Sequence, residues 1–534
     1  MADERRNMVT ADKLLNIPIL VFLNVSILNQ KIKDETKNVL TTYQKIVISF
    51  SPFKFKLIVI YTPLKMDEHT EDQQYVESKI IAMNEELDYL SHMYKEGSKE
   101  LESFKKLFER YLQTKDQKID WDKITNADDL IIDYHEHKIS KETKTEMLNK
   151  LAVIKLNGGL GTTMGLTGPK SKIEVRDGNN FIDLVIKQIK HFNCKYESSV
   201  PLILMNSFNT QKETEKMIKG SKNITIKTFN QFKYPKISVN TKLPITGDKS
   251  FYPPGHGNLY EVLYQTKLLD ELINEGKEYL FISNIDNLSS TIDLNILRIL
   301  DKGKADFIME VTDKTTADIK GGTLVKYNDV LRLIEVAMVP QDHVKEFIKK
   351  FKVFNTNSLW INLKSLKEVV TKLKLDIIQN RKVVDGQTVI QLETAVGSAI
   401  QYFKNPIGLK VSRERFSPVK SCSDLFLVES NLYKTDKGTL VRNEKRMISG
   451  NPTVKFIGRN FNNFEKYKKT FLDIPDIIDL DFLVLSGTIS FGRKIVLKGT
   501  VVIIAPEGSK IDIPDGTILE DKVVYGNCSM MNIK

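Results

Sequence analysis

Leu151 to Lys172 reads LAVIKLNGGLGTTMGLTGPKSK: an apolar run, then five glycines, three threonines and two lysines. A largely apolar run this short, with a turn signal behind it, predicts a buried strand. The glycines that follow let backbone N–H groups turn toward a ligand with no Cβ in the way. Lys170 and Lys172 put positive charge at the exit, so a phosphate site is a better reading than an empty turn. The spacing is not the dinucleotide fingerprint, because Thr162, Thr163 and Met164 stand where a third glycine is needed after Gly161. Nor is it a Walker A loop, because Pro169 separates Gly168 from Lys170.

Downstream, short β-rich runs alternate with helical or polar stretches: PLILMNSF at Pro201, ITIKTFNQF at Ile224, EYLFISNID at Glu278 and DFIMEVT at Asp306. That alternation predicts an α/β fold with a mostly parallel sheet, in which ligands sit beyond the carboxyl ends of the strands. Upstream, Gln74 to Gln113 carries apolar residues at three- and four-residue intervals, the period of amphipathic helices. After about Asp479 the chain turns to very short β-rich runs punctuated by Gly487, Gly492, Gly499, Gly508 and Gly516, a pattern that suggests a β-solenoid.

A chain of 534 residues exceeds one core and implies several domains. We expect an extension over 1–65, a helical region over 66–150, a catalytic domain over 151–430 and a C-terminal β domain over 431–534. The first 65 residues hold ten Lys or Arg against five Asp or Glu, and Met66 is the expected working start. Within them, Asn16 to Leu28 is apolar but too short to span a membrane. Lacking a small-residue cleavage site, it is not expected to be a signal peptide either.

The formal charge of +11 suits an anionic partner. Lys alternates with Glu or Asp along most of the chain, so a small anion is expected, with neither nucleic acid nor membrane as partner. Three widely spaced cysteines, Cys194, Cys422 and Cys528, fit a reducing, cytoplasmic setting and neither a disulfide framework nor a zinc site.

LNGGLGTTMGLTGPKS closely resembles the nucleotide-binding loop of eukaryotic UDP-glucose pyrophosphorylases, also called UTP–glucose-1-phosphate uridylyltransferases. Further matches follow in that family's order: MNSF at Met205, TFNQF at Thr228, YPPGHGN at Tyr252, NIDNL at Asn284, KGGTL at Lys320, FNTNSLW at Phe354, VIQLETAVGSAI at Val389 and FSPVKS at Phe416. The match runs from about Gln74 to the C-terminus. UDP-N-acetylhexosamine pyrophosphorylases share the logic but carry a different loop after the paired glycines.

The resemblance implies a Rossmann-like nucleotidyltransferase sheet, flanked by helices, with a left-handed β-helix at the C-terminus often used in self-association. It implies that a phosphate oxygen of glucose 1-phosphate attacks the α-phosphorus of UTP, giving UDP-glucose and pyrophosphate in a reversible reaction that uses Mg²⁺. No covalent intermediate is needed. Such chemistry rests on aligning two polyanions and neutralising the charge that builds on the transferring group.

The residues that match the family's motifs then take roles. Leu156, Asn157, Gly158 and Gly159 would hold uridine and its phosphate through the backbone, with Gly158 and Gly159 also against the sugar phosphate. Lys170 would contact the phosphates as a mobile point charge, and Gln231 would read the uracil edge. Gly255 would contact UTP. His256 would bind the sugar phosphate and move no proton. Asn284, Ile285 and Asn357 would contact the nucleotide sugar, with Glu335 a further acceptor. Asp286, following the apolar run YLFISNI, would hold Mg²⁺, because that hard ion prefers one carboxylate plus substrate phosphates and retained water; its alternative reading is an Asx turn with Asn287. Lys420 sits with Arg413 and Arg415 in one loop, readable as a solvated basic face or an anion clamp, and the family match falls on Lys420. Ser358 departs from the family's usual NTNN.

Three other readings stay open: an inactive UDP-sugar-binding regulator, an enzyme of broader sugar specificity, and a basic scaffold acting through its N-terminal extension. Loss of Lys170, Asp286 or Lys420 would have marked the first. All three are present.

Overall fold

The computed structural model describes residues 46–51, 54–59, 68–93, 98–114, 119–247, 249–315, 318, 321–448 and 450–526. The apolar run Asn16–Leu28, the expected start Met66, Lys320 and Cys528 lie outside the described residues. Contacts divide the chain into a unit Met1–Ala82 and a unit Met83–Lys534. In the first, Ile46–Ser51 and Lys54–Val59 pair antiparallel. The second holds every element of the large sheet and of the C-terminal ladders. No helix among the described residues is long and apolar enough to cross a membrane.

The strands of its large sheet are β1 (Ile131–Asp133), β2 (Leu151–Leu156), β3 (Leu202–Asn206), β4 (Ile226–Asn230), β5 (Tyr279–Asn284), β6 (Phe307–Asp313), β7 (Val353–Asn362) and β8 (Pro406–Lys410). Their order across the sheet is β1-β8-β6-β7-β5-β2-β3-β4. Every neighbouring pair is parallel except those made by β7, which runs antiparallel to both β5 and β6. Each of the six residues of LAVIKL is buried, as a strand covered on both faces requires. One residue in it, Lys155, is charged.

From β2 the chain adds β3 and β4 on one side and then crosses to place β5 on the other. The carboxyl ends of β2 and β5 therefore flank the switch point, where an open α/β sheet forms its ligand crevice. The glycine-rich loop leaves the first end and Asp286 follows the second. Ile285 N–H donates to the Leu156 carbonyl (3.2 Å), tying the two ends together.

Two features of the sheet depart from the sequence reading. The region 66–150, expected to be helical, supplies the edge strand β1, whose three residues are too few to show a period. FNTNSLW, noted only as a motif, lies within the ten-residue strand β7.

The C-terminal strands are β9 (Thr453–Ile457), β10 (Leu480–Ser486), β11 (Thr488–Phe491), β12 (Val496–Ile504), β13 (Lys510–Ile513) and β14 (Ile518–Tyr525). They form two parallel ladders, β9-β10-β12-β14 and β11-β13. Leu485, Ile503 and Val524 stand in register down one ladder and are all buried. Gly487, at φ +89°, turns a corner where a Cβ would overlap the Ala505 carbonyl. Phe471 stacks on Phe491 at 4.9 Å and on Phe426 at 5.1 Å. One hydrophobic core thus runs from Met147, just ahead of β2, to Val524 in the ladders.

Candidate active site

The glycine loop is fixed from below by polar contacts. Asn157 is buried, and its amide donates to Asn206 Oδ1 (2.7 Å) and Thr214 Oγ1 (2.9 Å). Its side chain is therefore committed to the scaffold, leaving the backbone to meet a ligand. Ser207 Oγ donates to the Gly158 carbonyl (2.8 Å), and Lys170 N–H to the Gly159 carbonyl (3.2 Å). The two glycines differ. A Cβ at Gly158 would overlap the Gln231 amide, whereas one at Gly159 meets no protein atom within 4 Å. Gln231 is buried with Oε1 unpartnered, which leaves an acceptor ready for a base edge.

Asp286 is the centre of charge. It is buried at the end of β5, and Oδ2 accepts from Lys170 Nζ (2.8 Å) and Lys420 Nζ (2.7 Å). Burial alone would raise its pKa. The Lys420 and Lys170 ammonium groups outweigh that and hold the carboxyl below its ordinary value, so it is ionised at neutral pH. Its other oxygen, Oδ1, is buried with no hydrogen-bond partner.

That oxygen tests the fit of a metal. Among the described residues no three His, Cys, Asp or Glu side chains cluster as a metal site, and the alternating pair His135 and His137 finds no third ligand. An ion held among the described residues would need ligands from outside the protein. One free carboxylate oxygen fits an ion that keeps its waters and takes its remaining ligands from substrate phosphates.

Lys420 reaches Asp286 because its loop is stapled down. Val419 N–H donates to the Asp286 carbonyl (3.1 Å), Ser417 N–H to Asn287 Oδ1 (3.1 Å), and Asn287 Nδ2 to the Arg415 carbonyl (3.2 Å). Thr163 of the glycine loop donates to the Lys420 carbonyl (2.9 Å). Arg413 and Arg415 are neither a solvated face nor part of an anion clamp. Arg413 forms a two-pronged pair with Asp318 (2.7 and 3.1 Å), and Arg415 another with buried Glu310 (both 2.8 Å). Only Lys420 of the three touches Asp286.

His256 Nδ1 accepts from Val396 N–H (2.9 Å). Burial and then the nearby Lys420 charge push its pKa down to about 4, so the ring is neutral at pH 7 and carries its proton on Nε2. It can donate a hydrogen bond but is no base poised for proton transfer. Gly255, at φ +84°, packs against the Thr394 backbone, and a side chain there would be strained.

Asn284 Oδ1 accepts from Asn357 Nδ2 (3.1 Å) across the end of the β5–β7 pair. Asn357 holds φ +60°, uncommon for a non-glycine residue, beside a β-bulge where the β6–β7 register slips between Met309 and Val311. The bulge aims Asn357 at the crevice. Its neighbour Ser358 points inward and hydrogen-bonds Ser290 Oγ (2.7 Å), so the departure from NTNN falls on a buried position. Glu335 stands apart from these contacts, beside Gly322, with its pKa raised by burial.

Sequence reading overlooked Lys155. Its ammonium is buried beneath the site, donating to Ser283 Oγ and the Ser290 carbonyl (each 2.7 Å), and burial lowers its pKa to about 7. The signal was one charged residue in an otherwise apolar strand. Asn287 entered the sequence reading only as the partner of Asp286 in an alternative Asx turn, and nothing in its spacing showed that it would hold the Lys420 loop.

A family model described as UTP–glucose-1-phosphate uridylyltransferase matches residues 101–498. The UTP–glucose-1-phosphate uridylyltransferase of Encephalitozoon cuniculi is 54% identical over 439 residues, covering 81% of this chain and 89% of that relative. UTP–glucose-1-phosphate uridylyltransferase 2 of Dictyostelium discoideum is 50% identical over 444 residues, covering 80% and 88%. Among solved structures, a mutant UDP-glucose pyrophosphorylase of Leishmania major in complex with UDP-glucose matches with a TM-score of 0.74 at 31% identity, over 83% of this chain and 99% of that one.

Proposed function

The chain belongs to the UTP–glucose-1-phosphate uridylyltransferase family, and we infer that it joins UTP and glucose 1-phosphate into UDP-glucose and pyrophosphate, and runs the reverse reaction. The observation that carries this reading is the Lys170–Asp286–Lys420 cluster at the switch point of the sheet. Two lysines held on one carboxylate form a reservoir of positive charge that a triphosphate can compete for without a large conformational search.

In this reading the Leu156–Gly159 backbone and Gln231 fix the uridine, and Asn284 and Asn357 hold sugar hydroxyls. His256 donates from Nε2 to the sugar phosphate. The glucose 1-phosphate oxygen then lies in line with the α-phosphorus and the departing pyrophosphate. Lys420 and Lys170 balance the charge that grows on the transferring group and on the leaving group. We assign Mg²⁺ to Asp286 on the strength of its unpartnered Oδ1; when bound, that ion would supply Lewis-acid neutralisation of the phosphates.

We also read the C-terminal ladders as a left-handed β-helix. The described edge strand β14 exposes Ile518, Val523 and Tyr525, which supports self-association there. The wide spacing of the cysteines supports a cytoplasmic setting.

Pyrophosphate release from UTP and glucose 1-phosphate with Mg²⁺ tests the activity, with N-acetylglucosamine 1-phosphate and galactose 1-phosphate as competing substrates. Turnover confined to glucose 1-phosphate is expected. Absence of release while UDP-glucose binds would favour a sugar-nucleotide regulator, and comparable rates with galactose 1-phosphate would favour broad specificity.

Gly159→Ala tests the loop. Because the added methyl meets no protein atom, thermal unfolding should be unchanged. UTP affinity, read by calorimetry, should fall by about tenfold or more, equivalent to roughly 1.4 kcal/mol. Unchanged affinity would reduce the loop to a turn.

A further inference from the structure

A cavity of about 610 Å³, the size of an ordinary metabolite site, lies between the helix Ser98–Thr114, the helix Leu259–Gln265 and the segment 370–375. It contains none of Asp286, Lys170, Lys420 or Gln231. Ser103, Lys106 and Arg110 fall at spacings that place them on one face of the first helix. Lys372 and Lys374 are exposed on the opposite side.

The charge there is unbalanced. Arg110 is half-buried and donates to the Leu375 carbonyl, yet among the described residues no carboxylate lies within ion-pair distance of it. Burial lowers its pKa, and the Asp376 carboxylate, beyond ion-pair distance and itself paired with Arg332, offsets that only in part. Glu109 and Glu261 also line the cavity, but neither is within ion-pair distance of Arg110. Glu261 instead accepts from Ser103 Oγ (2.6 Å) and Gln265 Nε2 (3.0 Å). Gln265 Oε1 is itself buried without a partner. A half-buried guanidinium without an ion-pair partner and an orphaned amide oxygen, on two residues that line one hollow, are poor choices for stability and good ones for binding a ligand.

The cavity also shares a wall with the nucleotide pocket. Gly257 and Asn258 line it, directly after Gly255 and His256, and Asn258 Oδ1 accepts from Phe232 N–H (2.8 Å), next to Gln231.

We propose that this cavity is a second binding site, for a small organic anion carrying two or more carboxylate or phosphate charges, and that its occupancy is linked to nucleotide affinity. Arg110 is the anchor, Lys372 and Lys374 guide the anion in, and Gln265 accepts from a ligand hydroxyl. By linkage, whatever the anion does to nucleotide affinity, the nucleotide does equally to the anion's.

The test titrates citrate into the full chain saturated with UDP-glucose, so that the crevice is blocked, and repeats it with Arg110→Gln. Saturable binding with one citrate per chain is expected, weakened by about tenfold or more in the variant. Competition by inorganic phosphate would assign the site to phosphate esters, and its absence to carboxylates. Without citrate, Arg110→Gln should unfold at the same temperature or higher, because it removes a half-buried cation that has no ion-pair partner. No saturable binding up to about 10 mM citrate, or equal binding by the variant, would overturn the site. So would a destabilised variant, since Arg110 would then be a structural donor to Leu375. UDP-glucose affinity unmoved by citrate would overturn the linkage. These readouts are binding and unfolding, so they stand whether or not the crevice turns over substrate.

Discussion

Asp286→Asn should lower kcat by at least ~100-fold, a loss of roughly 2.7 kcal/mol in transition-state stabilisation. Asn keeps the size and one oxygen but loses the negative charge that, on the assignment proposed above, meets Mg²⁺ through the unpartnered Oδ1. The cluster geometry adds a second expectation. Lys170 and Lys420 both rest on Asp286 Oδ2, and removing that charge leaves both ammonium groups unneutralised. A polyanion should then bind no more weakly, so KM for UTP should stay level or fall while kcat collapses. That split marks an interaction that matters in the transition state more than in the ground state. UDP-glucose binding, measured by calorimetry, should persist, and excess Mg²⁺ or Mn²⁺ should restore little turnover. Near-normal kcat would remove Asp286 as the metal ligand and move suspicion to Glu335.

The larger effect on stability belongs to Arg415. Burial disfavours its charged form, yet the bidentate contact with fully buried Glu310 more than compensates and raises its pKa. Arg415→Met would strand the Glu310 carboxylate in the core beside Trp360, whose indole N–H would remain a donor to it (2.8 Å). Breaking a buried pair by removing one partner costs roughly 3–5 kcal/mol. The loss should appear as a lower denaturant midpoint, with reduced turnover because Arg415 anchors the loop that carries Lys420. Adding Glu310→Gln removes the orphaned charge but keeps an acceptor for Trp360, and should recover most of the stability. A cost below about 1 kcal/mol for Arg415→Met would mean that the pair does not anchor the loop.

These two positions show what can be read from one dimension. The position of Asp286 was legible because a carboxylate directly after an apolar strand sits at that strand's carboxyl end, and the family match singled it out there; the glycine loop and Lys170 follow the same logic. The parallel character of the sheet was legible from strands alternating with helices. Arg415 was not, because its partner is 105 residues away in sequence and only sheet pairing brings them together. Lys155 was hidden inside a run that read as apolar, where its ammonium is satisfied by residues 128 and 135 positions distant. Nor could alternation reveal that β7 runs antiparallel, since direction depends on which edge the strand enters. The left-handed backbone of Asn357 follows from a bulge against β6, a register slip no local pattern encodes.

The pairing of β1 with β8 bears on how the protein is made. Gly408 sits beside Ile131, so the large sheet is not complete until roughly 280 further residues have been synthesised, which at about 5–20 residues per second takes on the order of 14–56 s. Throughout that interval the emerging chain carries a half-built sheet: β2, β3, β4 and β5 can assemble early, but the outer edge of β5 waits for β7, and β6 for β7 and β8. Exposed strand edges of that kind recruit strands from neighbouring chains. On a crowded ribosome the hazard of this architecture therefore lies in its birth, and yield in a heterologous host should respond to slower translation or added chaperone more than to any change at the crevice.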